Sequence, residues 1–75
     1  QSTMKTKYAT VRTSDGEKSF KLEIWDQKIV VLKYVGRVFG SSYDEIGSTP
    51  SLDDALALIR RNINGSIRGI DLRDA

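Results

Sequence analysis

The sequence predicts an α+β domain: a small antiparallel β-meander of three to four strands with one α-helix packed on one face. Three observations carry this. Apolar and polar residues alternate with period two through the first half of the chain. Turn-forming pairs separate the alternating runs. After Pro50 the period changes to that of a helix.

The first run, "KYATVRT" (Lys7 to Thr13), is β-branched and aromatic. Ala9 and Val11 share one face, and Tyr8, Thr10 and Arg12 share the other. "SDGE" comes next, and Asp15-Gly16 predicts a tight hairpin in which both central residues need positive φ. The second run, "KSFKLEIW", sets Phe20, Leu22 and Ile24 against Lys21, Glu23 and Trp25, as in a strand with one buried side. Asp26-Gln27 is a second two-residue turn. In "KIVVLKYV", Ile29 and Val31 point one way while Val30, Leu32 and Tyr34 point the other. Both faces are apolar, as expected of a central strand or of one covered on its second side. Gly36, Gly40 and Gly47 interrupt the next stretch of chain. A fourth strand is expected there from Arg37 to Tyr43, bulged at Gly40, with a loop leading to the helix.

The helix has the most consistent signals. Leu52, Ala55, Leu56, Ile59 and Ile63 form one apolar stripe. Ser51 is the expected N-cap, with Asp54 three residues on, as in a capping box, and Pro50 just before. Asp53 and Asp54 sit where the helix dipole favours anions, Arg60 and Arg61 where it favours cations. Asn64-Gly65 is the expected stop. Beyond it, "SIRGIDLRD" has β character in Ile67, Ile70 and Leu72, giving either a short edge strand or an ordered tail along the helix.

Size and composition narrow the function. Gln1-Ser2-Thr3 ahead of Met4 reads as a cloning remnant, leaving residues 4–75 as one domain. A chain of 75 residues buries about 60–65% of its unfolded surface, so a second face covered by association would add useful stability. With no cysteine and no histidine, disulfides and most metal sites are excluded. The lack of cysteine fits a cytoplasmic protein, and no apolar run reaches the ~18 residues of a membrane span. The acidic pairs Asp44-Glu45 and Asp53-Asp54 lack the alternating oxygen ligands of a calcium loop. No cofactor is expected. Catalysis is not expected either: there is no phosphate-cradling glycine loop and no serine nucleophile context, and Tyr43 beside Asp44 and Glu45 has no cleft to work in.

Binding is the remaining class. One helix shields one side of a sheet, and the third strand is apolar on both. The expected partner-binding face therefore carries Val30, Leu32 and Tyr34, with Lys21, Tyr8 and Arg12 from neighbouring strands and Trp25, the sole tryptophan. Homodimerisation or docking on a protein partner is the first expectation, since aromatic side chains anchor such interfaces. The rival is single-stranded nucleic acid, because Tyr8, Arg12, Lys21, Trp25, Lys28, Lys33 and Tyr34 interleave rings and cations. The net charge of +2 is low for that role, and Glu17, Glu23 and Asp26 dilute the patch. Charge runs basic to residue 43, acidic from 44 to 59, then basic again, in part because of the helix dipole.

"GSTPSLDDALALIRRNI" resembles the helix start of small antitoxin domains with a β-β-β-α core. The likeness covers about a quarter of the chain and rests on capping and amphipathic pattern. Four strands followed by a helix are also similar to dimeric single-stranded-DNA-binding proteins. Neither likeness brings a diagnostic motif, so neither assigns a site residue.

Overall fold

The computed structural model describes residues 3–75, so Gln1 and Ser2 of the tripeptide read as a cloning remnant lie outside the described residues. Five strands and one helix follow in the order β1 (Lys5–Thr13), β2 (Gly16–Ile24), β3 (Ile29–Arg37), β4 (Gly40–Thr49), α1 (Leu52–Arg61) and β5 (Ile67–Asp74). The strands form one antiparallel sheet in the order β4-β3-β2-β1-β5. The α+β meander with one packed helix is therefore as expected. The C-terminal segment forms a full eight-residue strand paired with β1 of its own chain, so the ordered tail along the helix does not occur.

Both long hairpins turn in the same way. Thr13 pairs with Gly16 across Ser14-Asp15, and Arg37 pairs with Gly40 across Val38-Phe39. The central residues keep negative φ, and only the closing glycine is positive, at +125° for Gly16 and +103° for Gly40. That is a type I pattern with glycine at the fourth position. It corrects the expectation that Asp15-Gly16 would be the central pair. Thr13 pins the first turn: its hydroxyl donates to the Gly16 carbonyl at 2.8 Å and accepts from the Asp15 N–H at 3.1 Å.

The fourth strand also differs from expectation. Arg37 ends β3, Val38-Phe39 is a hairpin tip, and β4 runs on to Thr49. Its irregularity lies between the Leu32↔Glu45 and Val31↔Gly47 pairs, at Ile46 rather than Gly40. The extra residue turns Ile46 towards the core, which it packs against.

The helix starts as the sequence implied. The Ser51 hydroxyl accepts from the Asp54 N–H at 3.2 Å. It stops three residues before Gly65, because Asn62 caps it and donates from its amide to the Leu58 carbonyl at 2.9 Å. Ile63 lies beyond the helix but still packs on the core. The core is the cluster of Ala9, Val11, Phe20, Leu22, Ile29 and Val31 closed by Ala55 and Ile59. Leu58 seats the helix on β4: a Cβ on Gly47 would fall 2.9 Å from its Cδ2 atom.

Towards the two long turns the sheet opens like a fork. β2 pairs with β3 only from Phe20↔Lys33 to Ile24↔Ile29, while β3 and β4 stay paired out to Arg37↔Gly40. The β3–β4 ribbon therefore projects, and the radius of gyration is 12.4 Å, above the ~11 Å of a compact chain this long.

Candidate docking face

Directly paired residues share a face of the sheet, so the register assigns each side chain. The row Leu72–Ala9–Phe20–Lys33–Asp44 and the row Asp74–Lys7–Leu22–Val31–Gly47 lie on the helix side. The opposite, open face carries the row Arg73–Tyr8–Lys21–Leu32–Glu45, the row Thr6–Glu23–Val30–Ser48 and the pair Tyr34–Tyr43. The apolar character on both sides of β3 is thus divided: Ile29 and Val31 belong to the core, Val30, Leu32 and Tyr34 to the open face.

Three tyrosines dominate that face. Tyr34 and Tyr43 meet edge to face with centroids 5.4 Å apart, and Tyr8 approaches Tyr43 at 6.2 Å. The backbones of β1 and β4 are three strand spacings apart, about 14 Å. The two rings therefore lean inwards over β2 and β3 and roof the middle of the sheet. The Lys21 ammonium lies 5.8 Å from the Tyr43 centroid and 3.6 Å from the Glu23 carboxylate, a geometry that adds a cation–π attraction. Tyr34 stays 44% exposed at the fork, while Val30 is 8% exposed yet stands apart from the core cluster.

The structure therefore brings together Tyr8, Lys21, Leu32 and Tyr34 of the expected set, and adds Tyr43. Arg12 shares the face but lies towards β5, where its guanidinium stretches over Gly69 to Asp71 at 3.3 Å. Trp25 stands off. It is one residue past β2, where its N–H donates to the Lys28 carbonyl at 2.8 Å and closes the β2–β3 turn. The residue is 37% exposed, and its ring joins none of the tyrosine contacts described.

Two groupings read from the sequence separate in space. Lys33 lies on the helix side, paired with Phe20 and Asp44, so it is not part of a ring-and-cation platform. Tyr43 and Asp44 point to opposite faces, and Asp44 is held by Arg37 at 2.9 Å and by the Ser42 hydroxyl at 3.1 Å. On the open face the bases Arg12, Lys21 and Arg73 meet the acids Glu17, Glu23, Glu45 and Asp71, so the face is close to neutral. Among the described residues no group of three or more carboxylates converges as metal ligands would, and no helix is long and apolar enough to cross a membrane.

No protein-family model, curated protein or solved structure matches this chain. What the molecule shows is an α+β meander with a helix packed on one face and a cluster of three tyrosines on the other.

Proposed function

We propose that this chain is a non-catalytic docking domain that binds through its tyrosine-bearing face, and that the occupant of that face is a second copy of the chain. The observation that carries the reading is the Tyr8–Tyr43–Tyr34 cluster laid across four strands, with Tyr34 left partly exposed. Tyrosines offer large contact area at low entropy cost and are enriched where proteins meet.

Two features support a second copy as occupant. The face is mixed in sign and near neutral, so two copies can approach without the repulsion of a single-sign surface. Five strands averaging nine residues also present roughly 600 Å² in projection, or roughly 1,200 Å² for a face-to-face pair, which is the low end for a specific interface. The expected dimer is one of moderate affinity.

Size-exclusion chromatography with light scattering tests this. At roughly 0.1–1 mM, wild type runs as a dimer, and Tyr34→Ala and Tyr43→Ala shift it to monomer while their circular dichroism still shows the folded sheet. A wild-type monomer at the highest concentration overturns the proposal.

Single-stranded nucleic acid is the weaker reading for the same face. Arg12 and Lys21 are already engaged by Asp71 and Glu23, and four acids face three bases. A labelled oligonucleotide titrated at two salt concentrations should show no salt-steep binding.

A further inference from the structure

The helix side of the sheet is only partly covered. α1 packs over β3 and β4, and the core it closes also buries Phe20 and Leu22 of β2 and Ala9 and Val11 of β1, so that the edge strand β5 is the part left half-open. A helix is about 10 Å across and strands are about 4.8 Å apart, so one helix on a five-strand sheet leaves an edge strand beside it partly open. The uncovered part is apolar. Leu56 of α1 and Ile67, Ile70 and Leu72 of β5 line a depression of about 470 Å³, with Arg60 and Arg68 at its border.

Neither arginine has an acidic partner among the described residues. Arg60 complements the helix C-terminus. Arg68 has no such role: the β1–β5 ladder steps from Arg12↔Gly69 to Thr13↔Ile67, so Arg68 is the extra residue of an irregularity and has no cross-strand partner. Irregularities of this kind re-aim a side chain.

We infer that this groove takes an amphipathic, acidic helix from a partner protein, laid beside α1 along β5. Its apolar stripe would sit on Leu56, Ile70 and Leu72, and its carboxylates would meet Arg60 and Arg68. The strip between α1 and β5 suits the one-sided apolar stripe of a helix, and the two cations select acidic flanks. An extended segment would pair with the free edge of β5 instead and leave the groove empty. A second copy offers no spare apolar helix, because its α1 is held on its own sheet by the buried Ala55 and Ile59. The groove lies on the side of the sheet away from the tyrosines, so it stands or falls independently of the dimer.

The probe is a synthetic helical peptide of about four turns, with leucines at i, i+3, i+4 and i+7 and glutamates on both flanks. A twin carries lysine in place of every glutamate. Amide chemical-shift mapping on the full chain should show the acidic peptide moving Leu56, Ile70 and Leu72, with micromolar affinity, and the lysine twin binding at least tenfold more weakly. Arg60→Glu with Arg68→Glu should reverse that preference, and the milder Arg68→Gln should weaken the acidic peptide alone. Equal binding of the twins, absence of binding, or shifts confined to Tyr8, Tyr34 and Tyr43 would overturn the inference. So would sodium dodecanoate filling the groove when the acidic peptide does not, which would make it a site for small amphiphiles.

Discussion

Leu22 and Leu32 are neighbours in the centre of the sheet, on adjacent strands and opposite faces. Leu22 is fully buried in the cluster closed by Ala55 and Ile59. Leu32 is only half-buried, in a row between Lys21 and Glu45. The same side chain thus meets a rigid lid on one face and a roof of leaning phenol rings on the other. A helix laid on a sheet excludes water permanently. Tyrosine rings shield apolar carbon while keeping a polar tip, so a face covered by them stays soluble alone and can still bind. The difference between the faces is one of reversibility, and it is what makes the open face the candidate for docking.

The widest gap between the faces should appear in a matched pair of truncations followed by urea unfolding. Leu22→Ala should lose about 3–5 kcal/mol, enough to leave a domain of this size largely unfolded. Next comes the seat of the lid: Gly47→Ala, whose new methyl would press on Leu58, should lose about 1–3 kcal/mol. Leu32→Ala should lose only about 1–2 kcal/mol, because its surroundings are already partly open to water. Should Leu32→Ala cost as much as Leu22→Ala, the open face would be a second core and the contrast would collapse. Removing the cap with Ser51→Ala should lower the melting temperature by an amount corresponding to about 1 kcal/mol. Smallest of all, Phe39→Ser at the hairpin tip should stay within about 0.5 kcal/mol, since Val38 and Phe39 are 91% and 98% exposed.

Much of the helix and sheet was legible because independent signals agreed. The Ser51 cap, the acidic first turn, the basic last turn and the alternation from Lys18 to Ile24 all appear in the structure where the sequence puts them, while Trp25 falls one residue past the strand. The turns were less legible. Asp15-Gly16 invited a reading with two positive-φ residues, whereas Thr-Ser-Asp-Gly and Arg-Val-Phe-Gly both place glycine at the closing position. Val38-Phe39 looks like strand by propensity and becomes a turn because Gly40 can close it. That shift hid Tyr43: without the turn, the phase of the fourth strand is undefined, and the ring that joins Tyr8 to Tyr34 cannot be assigned to a face. Lys33, by contrast, could have been excluded at once, since it shares its phase with Ile29 and Val31. The helix stop was misplaced because Asn62 caps through its side chain three residues before the more obvious glycine. The uncovered groove beside β5 has no sequence signature, because it depends on which strands the helix chooses to cross.

The most direct test of the docking face is an isotope-filtered nuclear Overhauser experiment on a mixture of labelled and unlabelled chains. Intermolecular cross-peaks should come from the rings of Tyr8, Tyr34 and Tyr43 and from the Leu32 methyls. Cross-peaks confined to α1, β5 or the Val38-Phe39 tip, or none at millimolar concentration, would contradict a dimer built on the tyrosine face.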